Sequence, residues 1–154
     1  MNDGTQGAGG EPRELAGMRF RARSDQLFSV RELVRDTLGR QGCDRSEVDG
    51  VVLAVDEACA NIIRHAYGAC AEGDIVIQIF AQDDDCVIRL RDYAEPVDPE
   101  AVCCRRPREL RPGGLGMFLI EKIMDRYDFT EAADGKGNVL EMRKRMGPST
   151  AVGA

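Results

Sequence analysis

The segment from Val48 to Tyr67 has the sequence VDGVVLAVDEACANIIRHAY and carries the clearest periodic pattern in the chain. Apolar residues recur in it every three or four positions, which predicts a helix with one buried face. The predicted core stripe consists of Val48, Val51, Val52, Val55, Ala58, Cys59, Ile62 and Ala66. Glu57, Asn61 and His65 follow one another at intervals of four residues on the opposite side of this helix.

The row of polar side chains is set among small residues, including Gly50, Ala54 and Ala60. A solvated helix face usually carries more charge and longer side chains than this one. Glutamate is a candidate general base, and an amide oxygen is a hard ligand that suits Mg²⁺. Two interpretations stay open: a ligand or partner binds along the row, or Glu57 is a surface residue and Asn61 merely interrupts the helix.

Patterns on both sides of this helix predict five strands and two further helices. The strands are expected at Met18 to Arg23, Asp74 to Ala81, Cys86 to Arg91, Tyr127 to Ala133 and Asn138 to Arg145. The first helix is expected from an N-cap at Ser24 to Gly39, and the third from Leu115 to Arg126. The helix between them, described above, is expected to begin at a capping box, Ser46 to Asp49, and to end at about Gly68. Hairpins separated by helices are typical of an α+β fold. We expect two layers, in which about three helices cover one face of a mixed or antiparallel sheet of about five strands.

The length of 154 residues fits one domain, which we place at residues 17–146, between tails at 1–16 and 147–154. A net charge of −6 argues against direct binding to nucleic acid, which depends on a basic face. No apolar run approaches the ~20 residues of a membrane span, and the N-terminus lacks the regions of a secretory signal. We therefore expect a cytoplasmic protein without membrane contacts.

The six cysteines form no C-x-x-C pair, and the chain has a single histidine. We expect reduced thiols that pack as small apolar groups. A redox role for the adjacent Cys103 and Cys104 stays open.

A glycine-rich loop, RPGGLGMF from Arg111 to Phe118, leads into the third predicted helix. Glycines before a helix let the backbone approach an anion, and the helix N-terminus offers free N–H groups. The loop is neither a Walker A loop nor a Rossmann loop, and turns also use glycine. Four arginines are concentrated just before or within it, at positions 105, 106, 108 and 111. They could meet phosphates or an acidic partner, or they belong to a solvated loop.

Three motifs taken in order resemble the GHKL ATPase superfamily, and most closely its short anti-sigma-factor serine kinase branch. The segment from Glu57 to Tyr67 is similar to the family's E-x-x-x-N-x-x-x-H-x-Y box. The strand from Ile88 to Asp92 is similar to the one that ends in the adenine-binding aspartate. The segment from Gly113 to Asp125 is similar to the pattern G-G-x-G-x-x-x-I-x-x-x-M-D. The resemblance covers about residues 15–145 and implies the histidine kinase-like ATPase fold.

The resemblance implies an ATP-dependent protein serine/threonine kinase in which Glu57 acts as base on the incoming serine hydroxyl. Asn61 would hold Mg²⁺ between the phosphates, and Asp92 would accept a hydrogen bond from the adenine amino group. Backbone amides at the loop glycines would contact phosphates, with an arginine near the γ-phosphate. The implied cofactor-binding set is Asn61, Asp92, Ala94, Arg111, Gly113, Gly114, Leu115, Gly116 and Met117.

The partners that the resemblance implies are a sigma factor and an anti-sigma-factor antagonist. The kinase would phosphorylate the antagonist on serine and would sequester the sigma factor, switching between the two. Homodimers are common in the family, and the first strand and helix, Met18 to Leu38, would contribute to one.

Ala94 departs from the family pattern, which usually has D-x-G at the adenine-binding aspartate. By the resemblance, its methyl group would lie where the chain approaches the adenine, and alanine disfavours a positive φ. The alternative function is therefore a non-catalytic module that sequesters a partner, with weakened or lost ATP binding. A sensor histidine kinase is excluded for an isolated chain, because the single histidine, His65, lies inside the Glu57 motif.

Overall fold

The computed structural model describes residues 9–67, 73–94 and 114–147. The strands are β1 Arg13–Arg21, β2 Asp74–Gln82, β3 Asp85–Asp92, β4 Arg126–Glu131 and β5 Asn138–Arg145. The helices are α1 Leu27–Arg40, α2 Arg45–Ile62 and α3 Gly114–Ile123. A 3₁₀ turn, Ser24–Gln26, precedes α1, and a π-helical turn, Ile63–Tyr67, extends α2.

The strands form one sheet in the order β1-β2-β3-β5-β4, and every neighbouring pair is antiparallel. Alternate residues of β2, namely Ile75, Ile77 and Ile79, are fully buried against the helices. The intervening side chains face the opposite side of the sheet. The predicted α+β fold, with helices on one face of a five-stranded sheet, is confirmed.

Helix α2 lies at the centre of the helical layer and packs against both α1 and α3. Val51, Val55 and Cys59 are completely buried in one cluster with the inner face of the sheet. Burying one such aliphatic side chain stabilises the fold by about 1.5–3 kcal/mol. The predicted core stripe is therefore confirmed, apart from Ala66, whose side chain lies outside the described part.

Helix α2 begins earlier than the capping box predicted. Its N-cap is Asp44, which has extended backbone angles and accepts a 3.2 Å hydrogen bond from the backbone N–H of Ser46. The cap prediction for Ser24 is wrong as well, because that residue opens the 3₁₀ turn, whose N-cap is Arg23 with extended backbone angles. In both cases a neighbouring residue with suitable backbone angles competes for the start of the helix.

Strand β1 begins at Arg13, inside the segment 1–16 that we predicted as a tail. It pairs with β2 from Arg13 opposite Ala81 onward, with an irregular register between Glu14 and Ala16. That irregularity breaks the alternation of polar and apolar residues, which hides this end of the strand in the sequence. The other parts of the predicted tails, residues 1–8 and 148–154, lie outside the described residues. Over the described ranges, no helix combines the length and apolar character needed to cross a membrane.

Candidate functional site

Asp92 ends β3 on the sheet face that the helices cover, and its side chain is only 3% exposed. Its Oδ1 atom accepts two hydrogen bonds of 3.0 Å, one from the backbone N–H of Ala94 and one from Nδ2 of Asn138. Both donors bind the same oxygen. The other carboxylate oxygen, Oδ2, is therefore the atom with which a ligand could bond.

The turn between β4 and β5 closes over the backbone at Asp92. Gly137 has a φ of +94°, and a Cβ atom there would lie 1.8 Å from the carbonyl oxygen of Asp92. On the opposite face of the sheet, Arg91 donates to both carboxylate oxygens of Asp134, at 2.8 and 2.7 Å, and to the carbonyl of Lys136 at 3.1 Å. This bonding to Arg91 holds the pKa of the Asp134 carboxyl below its usual range. The turn is thus bound to β3 on both faces.

Ala94 does not adopt the left-handed conformation for which the family pattern would favour glycine. Among the described non-glycine residues, a positive φ occurs at Asp83 alone, in the turn between β2 and β3. The backbone N–H of Ala94 caps the Asp92 carboxylate instead. The alanine is therefore accommodated without the backbone strain that its Cβ would suffer at a positive φ.

Glu57 and Asn61 lie one turn apart on α2, and both are half-buried. Oδ1 of Asn61 accepts a 2.9 Å hydrogen bond from Arg64, while Nδ2 is buried and has no partner among the described residues. The two ends of an amide are interchangeable by a half turn of the group. As the side chain stands, the buried position offers a ligand the NH₂ group. A half turn that offered the oxygen instead would give up the bond from Arg64.

A magnesium ion fits this position only together with a phosphate ligand. No group of three or more acidic, histidine or cysteine side chains that could hold a metal occurs within the described ranges. Mg²⁺ is commonly bound by one or two protein oxygens, with substrate phosphates and water completing the shell. Asn61 can supply such an oxygen at the buried position only after its amide turns and releases Arg64.

Helix α3 starts at Gly114 and runs beside α2. The two helices approach closely, since a Cβ atom on Gly50 would lie 3.4 Å from Ile123. Met117 packs against the core, and Gly114, Leu115 and Gly116 form the first turn, where N–H groups have no partner within the helix. Arg111 and Gly113 of the predicted set lie outside the described residues.

The structure places the described site residues on the helices or on the sheet face that the helices cover. Glu57 and Asn61 lie on α2, Met117 lies on the adjacent α3, and Asp92 lies on the sheet face beneath these helices. The sequence analysis missed Asn138, which is 2% exposed and directly bonded to Asp92. A polar residue just after a G-x-G turn, at an inward position of a strand, is the only signal that could have revealed it.

The three cysteines in the described part are free thiols, as predicted. Burial raises the pKa of Cys59 far above its usual range and raises the pKa of Cys86 to about 12. The pKa of Cys43 is raised too, first by burial and second by the charge of Glu47. All three are therefore protonated at neutral pH and act as small apolar groups.

Comparison with known families and proteins agrees with this fold. The family described as histidine kinase-like ATPase domain matches residues 20–144. A serine-protein kinase RsbW from Halalkalibacterium halodurans is 30% identical over 139 residues, which cover 85% of this chain and 83% of that protein. The RsbW of Staphylococcus epidermidis is 32% identical over 117 residues, covering 70% of this chain and 74% of that protein.

Two solved structures share the fold. The RsbU and RsbW domains of Rv1364c from Mycobacterium tuberculosis match with a TM-score of 0.61 at 18% identity, over 91% of this chain and 33% of that one. The SiaB–SiaC complex from Pseudomonas aeruginosa contains a chain that matches with a TM-score of 0.60 at 17% identity, over 86% of this chain and 90% of that one. The chain belongs to the histidine kinase-like ATPase domain family, within its anti-sigma-factor serine kinase branch.

Proposed function

We propose that this protein is a Mg-ATP-dependent serine kinase that phosphorylates an anti-sigma-factor antagonist and sequesters a sigma factor. Phosphorylation of the antagonist would decide which of the two partners is bound. The proposal is supported by relatives named serine-protein kinase RsbW and by the match to an ATPase domain over most of the chain. We expect these events in the cytoplasm.

The observation that carries the proposal is the buried and oriented carboxylate of Asp92. With two donors on Oδ1, the carboxylate can offer Oδ2 to the amino group of an adenine. A buried acceptor of this kind discriminates strongly between ligands that have and lack the donor, because an unmatched buried polar group costs about 1–3 kcal/mol. Adenine is therefore the base we expect at this position.

The remaining roles follow from phosphoryl transfer, which needs mainly positioning and neutralisation of charge. Asn61 would hold Mg²⁺, which would neutralise phosphate charge when bound. The first-turn N–H groups of α3, from Gly114 to Gly116, would bind phosphate oxygens, and Arg111 would approach the γ-phosphate. Glu57 would accept the proton of the serine hydroxyl, since it lies one turn from Asn61 on the same helix face.

The partner surface is expected to include the first strand and helix, through which a homodimer would also form. Phe28 on α1 leaves 65% of its surface exposed, which is unusual for so large an apolar side chain. We keep the predicted domain, residues 17–146, and move its start to Arg13, because β1 begins there.

Calorimetric titration with Mg-ATP tests the proposal directly. We expect micromolar binding by the wild-type chain and at least about a tenfold loss in Asn61→Ala, which removes the amide that faces the phosphates and Mg²⁺. The control is Asp56→Ala on the same helix, because Asp56 pairs with Arg31 of α1 at 2.9 Å and lies outside the proposed site. Absence of wild-type binding at millimolar nucleotide would overturn the kinase assignment.

Substitution of Glu57 by alanine separates binding from chemistry. We expect Glu57→Ala to bind Mg-ATP as the wild type does, because the base does not hold the nucleotide. Its rate of phosphotransfer to the antagonist should fall by about 100-fold or more, the usual contribution of a general base. Transfer of labelled phosphate from ATP to the antagonist measures this. Equal rates in mutant and wild type would remove Glu57 from the catalytic role.

A second candidate function is a binding module without kinase activity, and Ala94 is the observation that favours it. Its methyl group stands beside the expected adenine position, where the family usually has glycine. Ala94→Gly distinguishes the two functions. If the Ala94 methyl group blocks the adenine position, the wild type should not bind ATP and the glycine variant should. If the protein is a competent kinase, the substitution should change its ATP affinity little.

A further inference from the structure

We propose that Asn138 is a positioning residue that orients the Asp92 carboxylate and thereby sets the preference for an adenine base. The inference rests on the proposed function, because it assumes that Asp92 meets the base of the nucleotide. It adds a residue from β5 to a site whose other members come from α2, α3 and β3.

The contact between Asn138 and Asp92 is direct and buried. The side chains are 2% and 3% exposed, and Nδ2 of Asn138 lies 3.0 Å from Oδ1 of Asp92. Burial of both groups makes this bond hard to exchange for a bond to water. The backbone N–H of Ala94 binds the same oxygen, so the two donors together define which carboxylate oxygen remains for the ligand.

Asn138 is itself held by the turn that precedes it. Gly137 packs directly on the backbone carbonyl of Asp92, where no larger residue fits. The turn is bonded from the opposite face by Arg91, through Asp134 and the carbonyl of Lys136. The amide of Asn138 therefore has little freedom to follow a carboxylate that rotates.

Without the amide donor, the carboxylate would keep only the Ala94 N–H and could rotate about its last side-chain bond. Such a rotation would misalign Oδ2 with an exocyclic amino group. A hydrogen bond to a charged group is stronger than one between neutral groups, and misalignment forfeits part of it. A base with an oxygen at this position makes no such bond and should be less sensitive to the change.

The test compares Mg-ATP with Mg-ITP, whose hypoxanthine base carries an oxygen in place of the amino group, in wild type and Asn138→Ala. We expect the ATP dissociation constant to rise about tenfold in the variant, with a much smaller change for ITP, so that the ATP preference falls about tenfold. Asn138→Ser keeps a donor and should recover part of the preference. The control is Met142→Ala, a fully buried position farther along β5.

Each outcome has a distinct meaning. Equal losses of ATP and ITP affinity in Asn138→Ala, or a similar change of preference in Met142→Ala, would mean that Asn138 only supports the fold and would overturn the inference. An unchanged ATP preference in a folded Asn138→Ala would do the same and would leave the kinase proposal intact. Failure of the wild type to bind ATP at all would refute the proposed function first, and this inference with it.

Discussion

Asp92→Asn is expected to weaken Mg-ATP binding about 1,000-fold, since it would remove the proposed charge-assisted bond to adenine, worth about 1.5–3 kcal/mol, and would add an unmatched buried donor costing about 1–3 kcal/mol. The structure gives the reason for the second effect. Oδ1 of Asp92 accepts from Ala94 and Asn138, so the amide oxygen of the variant must take that position. Its NH₂ group would then point at the amino group of adenine, donor against donor.

Mg-ITP provides the control for this substitution. The carbonyl oxygen that replaces the amino group can accept from the new NH₂ group, so Asp92→Asn should bind ITP as well as, or better than, the wild type does. Calorimetry with both nucleotides measures the change, with circular dichroism to establish that the variant is folded. Unchanged ATP affinity would exclude Asp92 from the base-binding position, and equal losses for both nucleotides would indicate a purely structural role.

Gly137→Ala is expected to reduce the free energy of unfolding by about 4 kcal/mol or more, which is at the extreme of single substitutions. The Cβ atom would lie 1.8 Å from the carbonyl oxygen and 2.7 Å from the carbonyl carbon of Asp92. Both are backbone atoms of a central strand and cannot move aside as a flexible side chain could. The turn would have to separate from β3, which breaks its bonds to Arg91 and Asp92.

Gly135→Ala in the same turn is the matched control for that effect. Gly135 also has a positive φ, of +75°, but the nearest atom to its Cβ position is a glutamate oxygen 3.9 Å away. Only backbone strain applies there, which costs about 1–2 kcal/mol. The free energies of unfolding of the two variants, measured in urea, separate the cost of backbone strain from the cost of the steric clash. Equal losses of stability would mean that the turn does not press on β3 as described.

The fold was predictable because its main signals are local. The apolar stripe from Val48 to Ile62 and the hairpin turn at Asp134 to Gly137 follow from residue spacing and turn chemistry alone. Helix starts were less predictable, because Asp44 and Ser46 are both good caps and differ only in backbone angles. The start of β1 at Arg13 was hidden by an irregular register that pairing with β2 creates.

The candidate site was predictable only where a motif holds its residues close together in the chain. Glu57 and Asn61 share one helix, so their spacing predicts a common face. The bond between Asp92 and Asn138 joins residues that are 46 positions apart in the chain. It forms because β5 lies between β3 and β4 in the sheet and so pairs with both. Strand order depends on packing of the whole sheet, and no local pattern encodes it.

The strand order also has a consequence for synthesis on the ribosome. Among the described strands β5 emerges last, yet it lies between β3 and β4, so the earlier strands leave β3 with an unpaired edge until β5 has emerged. Antiparallel pairing over such sequence separations is slow, and exposed edges favour aggregation in the meantime. Because Asn138 arrives with β5, a nascent chain that stops short of β5 should lack the hydrogen bond that holds the Asp92 carboxylate.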